Sequence, residues 1–130
     1  MFKKVCSLLI IPIIIILVSS AFPSETKAAS NYQWFATGDG YWDGTFKARS
    51  GQDVTVFIND WGQWGHYNDW LKVRLCRVGG GCTIYKLVVY DDKNWTTFTN
   101  MAAGTYHGDV AKVHNPSNQI KGKISFRVEW

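Results

Sequence analysis

Between residues 61 and 70 the chain reads Trp-Gly-Gln-Trp-Gly-His-Tyr-Asn-Asp-Trp, with three tryptophans, a tyrosine and two glycines in ten positions. Rings of this size set between glycines are hard to bury in regular structure, and rings left near solvent mark a contact surface. The chemistry they offer is stacking of a flat apolar ring on the C–H face of a sugar. Gln63, His66, Asn68 and Asp69 add groups that hydrogen-bond hydroxyls. Trp61, Trp64, His66 and Tyr67 are therefore the candidate ligand-binding residues. In the competing reading, Trp70 starts a strand as a core residue and the other rings fold back over one open end of the domain. A second aromatic group, Tyr32, Trp34, Phe35, Tyr41 and Trp42, flanks Gly38-Asp39-Gly40. At least half of it is expected in the core, because a small domain needs large side chains to fill it.

Other chemistry is thin. An enzyme needs a nucleophile with its base, or two carboxylates facing one cleft. Asp60 with Asp69 and His107 with Asp109 are the nearby pairs. One such pair arises by chance in a domain of this composition, so the chain reads as non-enzymatic. Asp39, Asp43, Asp91 and Asp92 match no calcium-binding loop. His66, His107 and His114 lack the spacing of a zinc site. No cofactor or metal is expected.

The elements that must position these residues begin after a leader. Lys3 and Lys4 precede an apolar run from Val5 to Val18, and small residues follow at Ser19, Ser20, Ala21, Thr26, Ala28 and Ala29. That is the three-part pattern of a secretory signal peptide. Cleavage after Ala28 gives a leader of residues 1–28 and one domain of residues 29–130; cleavage after Ala21 is the alternative. An uncleaved anchor is disfavoured, because the run falls short of the roughly 20 residues that span a bilayer and Pro12 interrupts it. The protein is expected to be secreted, with a leader in the Gram-positive bacterial style. Removing residues 1–28 takes three of the 14 basic and one of the 10 acidic residues, so the net charge falls from +4 to about +2. So small and evenly spread a charge argues against nucleic acid as a partner.

Cys76 and Cys82 enclose Arg-Val-Gly-Gly-Gly. In an oxidising compartment they are expected to form a structural disulfide across the neck of a hairpin, contributing roughly 2 kcal/mol. Strand candidates are residues 41–48, 53–58, 70–78, 83–90, 94–99, 104–114 and 121–128, rich in Val, Ile, Thr and aromatics and separated by turn residues. Leu71, Val73 and Leu75 alternate with Lys72 and Arg74; Ile124, Phe126 and Val128 alternate with Lys123, Ser125 and Arg127. Seven or eight short strands in about one hundred residues predict an all-β fold, a small antiparallel β-sandwich.

Residues 44–56 resemble the strand, polar turn and second strand that open bacterial pre-peptidase C-terminal domains. Residues 68–75 resemble their third strand. Ala102-Ala103-Gly104-Thr105-Tyr106, with Ile124-Ser125-Phe126-Arg127-Val128 beyond it, resembles their closing pair. The resemblance implies a jelly-roll-like sandwich, usually an accessory module of secreted enzymes and sometimes bound to glycan or protein. Together the residues predict a secreted binding protein that recognises a glycan or cell-envelope polymer through the aromatic loop. The alternative is an antimicrobial or toxin-like protein acting on competing microbes, in which Trp with Lys and Arg would contact a membrane interface. A third class is a protease inhibitor or matrix component that makes contact through the disulfide-pinned hairpin.

Overall fold

The computed structural model describes residues 31–62, 70–114 and 119–130. Among them are eight strands and no helix: β1 (Gln33–Ala36), β2 (Thr45–Ala48), β3 (Asp53–Gly62), β4 (Leu71–Arg77), β5 (Lys86–Val89), β6 (Trp95–Phe98), β7 (Gly104–Lys112) and β8 (Lys121–Glu129). They make two four-stranded sheets, ordered β1-β8-β3-β6 and β2-β7-β4-β5. Every pairing is antiparallel. This interleaving of early and late strands is the eight-stranded jelly roll, the β-sandwich the strand pattern predicts.

The sheets meet through the apolar half of each alternation. Val54, Val56 and Ile58 of β3 and Leu71, Val73 and Leu75 of β4 are buried, as are Ile124 and Phe126 of β8 beside β3. The Phe46 ring lies 4.6 Å from Phe126 and 5.3 Å from Tyr106, filling the space that the small aliphatic residues leave. Each large side chain so buried stabilises the fold by roughly 1.5–3 kcal/mol. The other half of each alternation forms the two outer faces.

Several boundaries differ from the sequence expectation. β2 starts at Thr45, and residues 37–44 make a turn that docks on β7. The docking needs glycine at two places. Gly44 has φ +82°, and a β-carbon on Gly108 would stand 2.5 Å from the Asp43 carbonyl oxygen. β5 starts at Lys86 because Thr83 lies opposite Leu75 while Lys86 lies opposite Val73, so one extra residue bulges the chain between them. β3 runs on to Gly62 through a second bulge, where Asp60 takes φ 48°. β1 falls outside all the expected strands.

The hairpin and disulfide are as expected. Cys76 and Cys82 are bonded and bridge antiparallel. Thr83 N–H donates to the Leu75 carbonyl at 2.8 Å, and Arg77 N–H donates to Gly81 at 3.1 Å. Trp70 is not a core residue. It precedes β4, is 38% exposed, and meets Tyr90 edge-on at 6.4 Å and His114 at 6.1 Å. Its position beyond the last inward residue, Leu71, puts it at the end of the sandwich rather than inside.

Candidate functional site

The expectation that half of the Tyr32, Trp34, Phe35, Tyr41 and Trp42 group is core does not hold. Phe35 alone is buried. β1 is an edge strand, so when Phe35 turns inward its neighbour Trp34 must face solvent; Tyr41 and Trp42 ride on the 37–44 turn. Trp34 is 74% exposed and Tyr32 58%.

These two rings belong to a larger arrangement on the outer face of the β1-β8-β3-β6 sheet. Trp34 pairs with Lys123 of β8, and Lys123 pairs with Asn59 of β3. One step along, Ser125 pairs with Phe57, and Phe57 pairs with Trp95 of β6, whose ring is 41% exposed. A further step brings Arg127, Thr55 and Thr97 into one row, with the two threonine hydroxyls 2.8 Å apart. Strands spaced about 4.8 Å apart place Trp34 and Trp95 on the order of 15 Å from each other across the sheet. Phe57 lies between them.

Cations and polar groups fill the gaps between the rings. Lys123 Nζ lies 5.5 Å from the Trp34 ring and 3.2 Å from Asp60. Lys93 Nζ lies 4.1 Å from Trp95, and the Arg127 guanidinium 5.2 Å from Phe57. Asn59 Nδ2 donates to the Tyr32 hydroxyl at 3.2 Å. The result is a broad face carrying apolar rings, long flexible cations and amide and hydroxyl groups. It can stack on the flat side of a ligand while its polar groups reach the ligand's edges.

Trp61 follows this face at the end of β3. It is half-buried and packed against the core, and its buried Nε1 has no hydrogen-bond partner among the described residues. Trp64, His66 and Tyr67 lie outside the described residues, as do Asp69 and the leader. Trp61 and the Trp70–Tyr90–His114 group mark the two ends from which that loop departs.

The opposite outer face is closed by its own contacts over β7, β4 and the chain entering β5. Asp109 accepts from Arg74 Nε at 2.7 Å and from the Tyr85 hydroxyl at 2.8 Å. Lys72 and Arg74 stand 4.7 Å and 4.8 Å from the Tyr85 ring. Burial, then the bond to Asp109, pushes the Tyr85 hydroxyl pKa up. The bond to Asp109 raises that of Arg74. His107 turns to Thr45, with Nδ1 2.9 Å from its hydroxyl, and Trp42 stacks on its ring at 5.3 Å. His107 and Asp109 thus have separate partners and form no pair. Beneath this face Asp43 is buried, accepting Ala36 N–H at 3.1 Å and Val110 N–H at 2.8 Å. Burial outweighs those two bonds and pushes its pKa from 3.8 up to about 6.

Among the described residues no group of three or more His, Cys, Asp or Glu is placed to hold a metal ion. No family model matches the chain, and no curated protein matches it.

Sequence reasoning missed Trp34, Phe57 and Trp95 as one surface. A signal for two of them was present. Phe57 alternates with Val56 and Ile58, and Trp95 with Thr96, so each falls on the polar side of its strand. The adjacency of Trp34 depends on β1 pairing with β8, at the other end of the described chain.

Proposed function

We propose that this is a secreted, non-enzymatic binding protein for a glycan or cell-envelope polymer. The ligand lies along the outer face of the β1-β8-β3-β6 sheet and continues toward Trp61 at the end of β3. The observation that carries this reading is the exposed Trp34, Tyr32 and Trp95 rings spread across one sheet face, with Asn59, Asp60 and Lys123 between them. Exposed rings on a rigid sheet bind at low conformational cost, because they are already fixed before the ligand arrives.

The test is cosedimentation of the mature protein with purified cell walls and insoluble polysaccharides, with tryptophan fluorescence read in parallel. The expected result is retention with a blue shift, lost in Trp34→Ala plus Trp95→Ala while the thermal melt is unchanged. Retention that survives both substitutions contradicts the assignment of the face.

The antimicrobial reading has one observation in its favour, the cations held over tryptophan rings at Lys123–Trp34 and Lys93–Trp95. Such pairs suit a membrane–water interface. It predicts growth inhibition by the purified mature protein at low concentration. Inactivity across a broad panel of microbes removes it.

A further inference from the structure

β1 is too short to flank β8 throughout. It pairs with residues 121–124, so among the described residues the 125–129 half of β8 has a strand neighbour only on its β3 side. Beside that gap runs β2, the edge strand of the other sheet. Between the two lies an open cleft of about 630 Å³, lined by Lys47, Arg49, Gln52, Thr105, Val128 and Trp130.

The lining is cationic and aromatic. Phe46 and Ala48 point into the core, so Lys47 and Arg49 face outward from the same strand edge. Side chains two residues apart on such an edge stand roughly 7 Å from one another, close enough to grip one oxyanion from two sides. Among the described residues neither cation takes part in an ion pair. Arg77 packs on Gly104, a glycine that lines the cleft. Its stem lies across Gly104, where a β-carbon would come within 2.8 Å of Cδ, and its guanidinium reaches the Ala103 carbonyl at 3.5 Å. The acidic side chains of Asp53 and Glu129 have partners of their own. Asp53 accepts Asn100 N–H at 2.9 Å, and Glu129 faces Arg127 at 3.7 Å.

Neutral hydrogen-bonding groups and a ring complete the cleft. Gln52 Oε1 accepts Arg49 N–H at 2.7 Å, which fixes the side chain and leaves its amide N–H groups to donate. Thr105 contributes a hydroxyl, and the Trp130 indole, 60% exposed, provides a stacking surface at the mouth.

We infer that this cleft is a subsite for an acidic saccharide. A carboxylate or phosphate carried on a sugar sits between Lys47 and Arg49, and the sugar ring lies against Trp130. The inference rests on the glycan-binding reading and narrows it: the polymer recognised is anionic, and charge adds to the stacking supplied by the ring-bearing face. An oxyanion held by exposed cations binds more weakly as salt rises, whereas stacking on rings is little affected.

The experiment is titration of the full mature protein with three probes, an oligogalacturonate, a sugar-phosphate polymer and a neutral oligoglucoside, at low and at near-physiological salt. Anionic phospholipid vesicles are run alongside. At least one of the two anionic saccharide probes should bind in a salt-sensitive way, and the probe that binds tells carboxylate from phosphate. Lys47→Gln and Arg49→Gln should each weaken it about fivefold, with retention on neutral polymer unchanged. Both positions are exposed, so the variants should melt as the parent does. Trp130→Ala should weaken the same probe and leave its salt dependence intact.

The inference fails if neither anionic probe binds, or if the charge variants bind them as the parent does. It also fails if only the vesicles bind, since the anion then comes from a lipid headgroup. Binding to the cleft with polymer retention unchanged in Trp34→Ala plus Trp95→Ala overturns the ring-face reading and leaves the cleft standing. Retention on neutral polymer with an inert cleft does the reverse.

Discussion

On one outer face, Trp34, Tyr32 and Trp95 stand open to solvent with flexible lysines over two of the rings. On the other, Tyr85 lies between two cations and is tied to Asp109, while Trp42 lies flat on His107. Both faces are antiparallel sheet, and both carry aromatic, basic and acidic residues. They differ in where those residues find their partners. Over β7 and β4 the strongest donors and acceptors meet each other, so a ligand there would have to replace contacts already made. On the β1-β8-β3-β6 face Trp34 and Trp95 meet the ends of Lys123 and Lys93, which a ligand displaces at less cost than the Asp109 contacts. Residue type alone does not mark a binding surface; a surface whose groups are not already satisfied by one another does.

This contrast can be broken in several ways. The largest expected effect is on the open face. Removing both Trp34 and Trp95 should weaken polymer retention by about 3 kcal/mol, roughly a hundredfold, with unchanged stability, as cosedimentation isotherms and thermal melts would show. A shift of similar size concerns stability beneath the closed face. Because the Asp43 pKa is raised from 3.8 to about 6, the folded chain holds its proton to higher pH than the unfolded chain does. Stability should therefore fall as pH rises through that window, by at most about 3 kcal/mol, and stay level above it. Denaturant melts between pH 4 and 7 measure the slope, and Asp43→Asn should abolish it.

Smaller effects sharpen the same division. Replacing Cys76 and Cys82 by serine should cost about 2 kcal/mol of stability by releasing the hairpin on the closed face. Retention should not change. Asp109→Ala frees Arg74 and Tyr85 from their shared acceptor and should cost on the order of 1–2 kcal/mol in urea melts, again with retention intact. A loss of retention in either variant would mean that the closed face binds ligand too.

Much of the fold was legible because each long strand shows its own alternation. Leu71, Val73 and Leu75 mark the inner side of β4 without reference to any other strand, and Ile124 and Phe126 do so for β8. The spacing of Cys76 and Cys82 across three glycines specified a stapled hairpin in the same local way. β1 was not legible. Four residues give too short an alternation, and the surrounding aromatics read as core because large rings are usually buried. The open face is harder still to read, since it joins β1, β8, β3 and β6, and the long-range pairings decide which rings become neighbours. Of the loop residues singled out first, Trp61 packs against the core. Trp64, His66 and Tyr67 lie outside the described residues.

The most direct measurement sets the two faces against each other. Trp34→Ala plus Trp95→Ala on the open face is compared with Tyr41→Ala plus Trp42→Ala on the closed side, by cosedimentation with the same polymer at equal protein concentration. The account predicts that the first pair abolishes retention and the second leaves it at the parental level. Equal loss in both pairs, or loss confined to Tyr41 and Trp42, would contradict it.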